Sequence, residues 1–107
     1  MALYEMRSYL LYVGKLQEAV ACYREFGWPA FEQGGFHDKL LGYFISDVGE
    51  LNKLVHIWKF DDDADRRDHW RRVDRDEKFK VFAAKIRPLI SAQKNELFRN
   101  APWGPRP

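Results

Sequence analysis

The fold of this chain is decided by residues 39–60, which read KLLGYFISDVGELNKLVHIWKF. The segments 39–46 and 52–60 are rich in β-branched and aromatic residues, which favour strands. Residues 47–50, with the sequence DVGE, contain the Asp and Gly that tight turns use. The whole stretch therefore predicts a β-hairpin.

The segments before this hairpin predict a strand followed by a helix. Residues 3–13 alternate in a tract of β-forming residues that Gly14 interrupts. From residue 15 to residue 26 the apolar residues recur at spacings of three and four, which is typical of an amphipathic helix. We expect this helix to end or kink between Gly27 and Pro29, because proline lacks a backbone donor. The alternative is a short continuation through Ala30 and Phe31, which Gly34-Gly35 closes.

The segments after the hairpin predict two helices and a last strand. Acidic residues at 61–63 are placed as a helix N-terminus prefers, and residues 64–74 then alternate Arg and Asp around a thin apolar stripe. Residues 77–86 carry apolar side chains at helical spacing, and Pro88 ends that pattern. Residues 89–98 are strand-like.

The order of elements is therefore β-α-β-β-α-β, an α+β, ferredoxin-like sandwich with its helices on one face of an antiparallel sheet. The second hairpin strand has apolar residues on both of its faces, with Leu54 and Trp58 on one and Val55 and Ile57 on the other. Because no sequence remains to cover the second face, we expect a homodimer formed through it.

Length and composition limit the classes of function. The chain has 107 residues, so we predict one domain at 1–100 and a Pro-rich tail at 101–107. The formal net charge of +2 is too balanced for a nucleic-acid-binding protein, so nucleic acid is not an expected partner. Aromatic residues reach 16% of the chain, which suits either a core or the floor of a pocket.

Cysteine content and hydropathy indicate the compartment. Cys22 is the single cysteine, so no disulfide can form within the chain and a reducing compartment fits best. The N-terminus runs directly into strand-like sequence, and no segment approaches the roughly 20 apolar residues of a membrane span. We expect a cytoplasmic protein with no membrane span.

Several short segments together resemble the NIPSNAP family over roughly the whole chain except the tail. They are Tyr4-Glu5-Met6-Arg7-Ser8-Tyr9, Gly14-Lys15, Gly42-Tyr43-Phe44-Ile45-Ser46, Gly49-Glu50-Leu51-Asn52, Val55-His56-Ile57-Trp58 and Phe82-Ala83-Ala84-Lys85-Ile86-Arg87-Pro88-Leu89. The resemblance implies a dimeric α/β barrel, the superfamily that includes cofactor-independent monooxygenases, isomerases, cyclases and haem-binding enzymes. Fold analogy does not choose among these activities.

The residues Asn52, His56 and Trp58 share one face of the second hairpin strand and form the first candidate site. His56 has the proton affinity of a general acid or base near neutral pH. Asn52 is suited to bind a carbonyl group, and Trp58 to stack on a planar substrate. The alternative is that His56 is a hydrogen-bonded barrel histidine and Trp58 a core aromatic.

Arg7 and Tyr9 share a face of the first strand, which should lie beside the second hairpin strand and so approach His56. Arg7 is suited to anchor a carboxylate or stabilise an enolate, with Tyr9 as a hydrogen-bond donor or weak acid. The alternative is an ion pair of Arg7 with Glu5 or Glu96 on the dimer face.

Two further residues complete the candidate substrate-binding set. Tyr43 on the first hairpin strand adds an aromatic ring, and Arg72 on the second helix could rim the mouth of a pocket together with its neighbours His69, Trp70 and Arg71. The alternative is that the Arg-rich run is a solvated helix face.

No cofactor is expected from the sequence. His37, His56 and His69 lie in three different elements, and none has a second His or Cys at metal-ligand spacing. There is no GxGxxG motif or P-loop, and a haem would need His56 or His69 to face a large cavity.

We hypothesise a pocket for a small, partly aromatic molecule, with cofactor-independent oxidation or isomerisation as its chemistry. A non-catalytic dimer that recruits other proteins is the alternative.

Overall fold

A computed structural model describes residues 2–107 and confirms the predicted α+β, ferredoxin-like order of elements. The boundaries differ from the sequence-based prediction by one or two residues, except that the first helix continues to Gln33. The elements are β1 (Leu3–Leu11), α1 (Leu16–Cys22), a π-helical turn (Tyr23–Gly27), α2 (Trp28–Gln33), a 3₁₀ turn (Phe36–Lys39), β2 (Leu40–Ile45), β3 (Lys53–Phe60), α3 (Asp63–Arg75), α4 (Glu77–Ile86), a second 3₁₀ turn (Arg87–Leu89) and β4 (Ile90–Arg99).

The strands form one four-stranded antiparallel sheet in the order β2-β3-β1-β4. The two central strands, β1 and β3, place Arg7 opposite His56 and Tyr9 opposite Leu54. Residues that pair across antiparallel strands share a sheet face. The predicted approach of Arg7 and Tyr9 to His56 is therefore present.

Burial alternates along β3 and separates the two faces of the sheet. Leu54, His56, Trp58 and Phe60 are buried against the helices, whereas the intervening residues of β3 are only half-buried. The opposite side, which we call the outer sheet face, carries apolar residues that no helix covers. They include Met6, Leu10, Phe44, Val55, Ile57 and Phe98.

The first helix passes through Pro29 instead of ending before it. The backbone N–H of Trp28 donates to the carbonyl of Tyr23, five residues earlier, so the helix widens into a π-turn there. Pro29 then stands in the first turn of α2, where a missing donor is tolerated. Gly27 allows close packing at this point, since a Cβ on it would lie 2.7 Å from the ring of Phe82.

Side-chain caps set the starts of the later helices. The Asp62 carboxylate accepts from the backbone N–H of Asp65 at 2.8 Å, and the Asp76 carboxylate accepts from that of Phe79 at 2.8 Å. Each cap satisfies one of the free N–H groups of a first helical turn, and a capping carboxylate also interacts favourably with the helix dipole.

The core consists of two clusters on the helix side of the sheet. One contains Leu11, Ala19, Phe82, Ile86 and Leu89. The other contains Phe31, Phe36, Trp58, Phe60 and Val73. Half-buried Phe79 packs against both clusters, so their meeting point lies under α4.

The last residues return to the first strand. The Tyr4 hydroxyl donates to the carbonyl of Pro107 at 2.9 Å, and Tyr4 is buried. None of the helices within residues 2–107 has the length and apolar character needed to cross a bilayer.

Candidate functional site

A cavity of about 150 Å³ lies between the sheet and the helices, where the two core clusters meet. We call it the inner cavity. A cavity of roughly this size in another protein's core holds a benzene molecule, so the space suits one ring with small substituents. Its walls combine polar sheet residues with aromatic helix residues, chiefly Arg7, Tyr9, His56 and Gln93 from the strands and Phe31, Trp70, Phe79 and Phe82 from the helices.

His56 is the buried polar residue at the centre of this wall. The indole Nε1–H of Trp58 donates to His56 Nδ1 at 2.6 Å. An accepting Nδ1 carries no proton, so in the neutral imidazole the proton is on Nε2. That Nε2 is buried and has no hydrogen-bond partner within residues 2–107. His56 lines the inner cavity, so a buried and unpartnered donor, its Nε2–H, belongs to a residue of the cavity wall.

Burial keeps the His56 imidazole neutral. Loss of hydration lowers its pKa from 6.5 to about 3, and the positive charge of Arg7 acts in the same direction. Near neutral pH the His56 imidazole is therefore a hydrogen-bond donor through Nε2–H and does not act as a general acid by carrying a second proton. This arrangement suits the binding and polarisation of a carbonyl or an anionic oxygen.

Arg7 is held in place by Glu5 and Trp70. The Nε–H of Arg7 donates to Glu5 Oε2 at 3.1 Å, and the guanidinium carbon lies 3.6 Å from the centre of the Trp70 ring. The Trp70 Nε1–H donates to the other oxygen, Glu5 Oε1, at 2.6 Å. Arg66 also approaches the carboxylate, with Nη1 to Oε2 at 3.7 Å. The ion pair with Glu5 that the sequence left open is present, and it faces the helices.

Three tyrosines surround His56 and its neighbours. The ring centres of Tyr9 and Tyr43 lie 5.0 and 5.1 Å from that of His56, and Tyr23 lies 5.4 Å from Tyr43. Burial raises the pKa of Tyr9, although Arg7 opposes the effect, and raises those of Tyr23 and Tyr43 further. All three phenols are therefore hydrogen-bond donors at physiological pH.

The structure separates Asn52 and Arg72 from the inner cavity. Asn52 has a left-handed backbone with φ of 57°, its side-chain oxygen accepts from the N–H of Gly14 at 3.3 Å, and its carbonyl accepts from Leu11 at 2.7 Å. It ties the loop before β3 to the end of β1. Arg72 is exposed and pairs with Asp68 at 3.1 Å.

Trp58 and Tyr43 lie in a second layer behind the cavity wall. Trp58 is fully buried, and its ring packs against those of Phe31 and Trp70. It acts on the site by orienting His56. Tyr43 does not line the cavity, but its ring contacts the lining residues His56 and Tyr23.

The sequence did not predict two buried polar residues near the site, since Glu5 appeared only as an alternative ion-pair partner of Arg7 and His69 only as a neighbour of Arg72 at a pocket mouth or as a possible haem ligand. Glu5 is fully buried and lies on the same face of β1 as Arg7 and Tyr9. The alternation of side chains along this strand could therefore have placed Glu5 in the site from the sequence. His69 is also fully buried, four residues before Val73 and thus on the same side of α3. Both of its ring nitrogens are without a partner within residues 2–107.

The polar groups around the inner cavity favour an oxygen-bearing ligand over a metal. Arg7 and Arg87 bring positive charge to the lining, and Asp74 brings one carboxylate. No cluster of three or more His, Cys, Asp or Glu side chains suited to a metal ion occurs within residues 2–107. The volume of about 150 Å³ is also below the roughly 300–1,000 Å³ of pockets that enclose drug-sized ligands.

The family model for NIPSNAP matches residues 4–105 of this chain. The chain belongs to the NIPSNAP family. The curated human relative "Protein NipSnap homolog 3A" is 29% identical over 106 residues, and the match covers 94% of this chain and 40% of that protein. The chain thus spans less than half the length of the curated relative that it matches.

Solved structures of NIPSNAP proteins have the same fold. A family member of unknown function from Agrobacterium tumefaciens has a TM-score of 0.88 and 32% identity, with 97% of this chain and 92% of that chain covered. A solved antibiotic biosynthesis monooxygenase has a TM-score of 0.63 and 17% identity, covering 94% of this chain and 99% of that chain. The second likeness shows a shared fold only.

Proposed function

We propose that this NIPSNAP domain binds a small, partly aromatic organic molecule in the inner cavity. The observation that carries the proposal is the Nε2–H of His56, a buried donor without a partner in a cavity that Arg7 also lines. Buried polar groups are rarely left unpaired in folded proteins. A ligand oxygen placed beside Arg7 and His56 would satisfy this donor and meet a positive charge.

The same groups support chemistry on a carbon next to a carbonyl. Removal of a proton from such a carbon leaves an enolate, whose oxygen the Arg7 guanidinium and the His56 donor would stabilise. The Asp74 carboxylate lines the cavity and is available to accept the proton. Return of the proton to another carbon is an isomerisation, and reaction of the electron-rich anion with dioxygen is a cofactor-independent oxygenation.

Isothermal titration with benzoate tests the binding proposal. Benzoate combines one ring with a carboxylate, which matches the size and charge of the inner cavity. We expect saturable binding to the unmodified protein and at least tenfold weaker binding to Arg7→Met, because a charge-assisted hydrogen bond is lost. The control is Arg71→Met on the exposed side of α3, which should bind benzoate as the unmodified protein does. Absence of binding to the unmodified protein would refute the proposal.

We further propose a homodimer formed through the outer sheet face, closing a dimeric α/β barrel. Phe44 and Phe98 on this face are 54% and 45% exposed in the single chain, and Val55 and Ile57 lie between them. Contiguous apolar surface of this kind marks interaction sites, and a two-fold dimer buries the same patch on both copies.

The second candidate function is a non-catalytic dimeric module that recruits other proteins. Exposed apolar side chains outside the outer sheet face favour it: Val48 and Leu51 in the loop between β2 and β3, and Trp103, which is 77% exposed. The arginines of α3 support it less, because Arg67, Arg71 and Arg72 are paired with aspartates of the same helix. Affinity capture that recovers only the homodimer would count against this candidate.

We place the protein in the cytoplasm. Its one cysteine, Cys22, is half-buried in α1 and has no partner for a disulfide within the chain. Fluorescence microscopy of a tagged full-length chain tests this placement.

A further inference from the structure

A second space opens at the surface beside the inner cavity. It has a volume of about 240 Å³ and lies between the π-turn and the open edge of the sheet at β2. We call it the apolar groove, because its exposed walls are almost entirely carbon. Its main lining residues are Val20, Tyr23, Trp28, Tyr43, Ile45 and Leu54.

The apolar groove and the inner cavity share a wall. Tyr23 lines both spaces. Tyr43 lines the groove, and its ring contacts both Tyr23 and the cavity residue His56, with ring centres 5.4 and 5.1 Å apart. A single layer of aromatic side chains therefore separates the two spaces.

Two features distinguish this shared wall from the rest of the core. The Tyr43 hydroxyl is buried and has no partner within residues 2–107, so it resembles the unpaired Nε2 of His56 on the other side of the wall. Tyr23 begins the π-turn, and such turns occur often at functional sites.

We propose that the apolar groove binds the hydrocarbon tail of a ligand whose acidic head group occupies the inner cavity. The ligand class is an arylalkyl or alkyl carboxylic acid with its carboxylate at Arg7. Its tail enters the groove past Tyr23, which lines both spaces and whose ring turns away from Tyr43 to open the wall. This inference rests on the proposed function, since the head group is the molecule assigned to the inner cavity. It adds a second subsite and a length requirement.

Isothermal titration with benzoate and 4-propylbenzoate tests the inference. Each methylene group that moves from water into the groove should tighten binding about fourfold, the equivalent of about 0.8 kcal/mol. We therefore expect 4-propylbenzoate to bind at least tenfold more tightly than benzoate. Ile45→Asp should remove this gain and leave benzoate binding unchanged, because Ile45 lines the groove and not the inner cavity.

The matched control is Val81→Asp on α4. Val81 and Ile45 are 51% and 53% exposed, so both variants place a carboxylate at a half-exposed apolar position. Val81→Asp should keep the difference between the two ligands. Equal affinities in the unmodified protein, or an unchanged difference in Ile45→Asp, would overturn the inference while benzoate binding still supports the inner cavity. Absence of binding of both ligands would overturn the proposed function and the inference with it.

Discussion

The Trp58 indole donates a hydrogen bond to His56 Nδ1 over 2.6 Å from the same face of β3. Residues two apart on a strand point in the same direction, so the strand itself brings the two rings together. The bond leaves the proton of the neutral imidazole on Nε2, which is buried and has no partner within residues 2–107. Trp58 therefore has the structural role of a core aromatic residue. It also orients His56, the residue that we propose binds the ligand.

Trp58→Phe should change the tautomer of His56. In the unmodified protein, nitrogen NMR of the imidazole should show the Nε2–H form alone, with no titration from about pH 7 to about pH 5, because the His56 pKa is about 3. Phe removes the donor, so both tautomers should appear. Trp103→Phe, at an exposed tryptophan, should leave the His56 signals unchanged. A His56 titration centred near 6.5 in the unmodified protein would contradict the assignment.

Glu5→Gln should destabilise the protein by about 3 kcal/mol. The new amide NH₂ would face the donating N–H of either Arg7 or Trp70, and the partly buried guanidinium of Arg7 would lose its counter-charge. Urea unfolding at neutral pH measures the change.

The control for this change is Glu50→Gln. Glu50 pairs with Lys53 at 3.5 Å on the surface, where an ion pair contributes less than about 1 kcal/mol. If the two variants lose similar stability, Glu5 does not have the anchoring role that we assign to it.

His69→Phe should reduce the loss of folding stability at acidic pH. Burial lowers the His69 pKa from 6.5 to about 4, with Arg72 and Arg7 adding to the effect and Asp65 opposing it. The unfolded chain then binds a proton at a higher pH than the folded chain does, so stability is complete above pH 6.5 and is lost as the pH falls toward 4. The loss from this residue is on the order of 3 kcal/mol.

Urea unfolding between these pH values checks this prediction. His69→Phe should lose less stability on acidification and should be at least as stable at neutral pH, because both ring nitrogens of His69 lack partners. The slope of the unfolding free energy against urea concentration should be the same in the variant and in the original chain, which shows that the same transition is measured in both. A variant with the full acid sensitivity of the original chain would show that His69 is not the responsible group.

Ile57→Asp should convert the proposed dimer to a monomer. Ile57 lies on the outer sheet face, opposite Gly42 on β2 and Met6 on β1, where a buried charge would face its own copy across the two-fold axis. Sedimentation at micromolar concentration should give twice the chain mass for the original protein and for Val81→Asp, and the single chain mass for Ile57→Asp. A monomeric original protein would contradict the dimer.

The alternation along β3 was enough to separate its two faces, although both faces are apolar. Trp58 and Phe60 point to the core, and Val55 and Ile57 point to the outer sheet face, as their spacing required. The ferredoxin-like order followed from strand and helix periods alone, because each element has the length and pattern that its packing needs.

The details of the candidate site depend on contacts between distant elements, which periodicity does not report. Glu5 became a buried anchor only because α3 brings Trp70 to it across 65 positions of sequence. Asn52 shares the spacing of His56, but it lies before the strand starts and adopts a left-handed backbone, so its side chain serves the loop. The π-turn at Tyr23 depends on a shifted hydrogen bond that has no clear sequence signal.

Nuclear Overhauser contacts between benzoate and the protein test the central claim most directly, since they locate the bound molecule. The account predicts contacts from the benzoate ring to Phe31 and Phe82, together with a shifted Nε2–H signal of His56. Contacts confined to Phe44 and Phe98 on the outer sheet face, with the His56 signal unchanged, would contradict it.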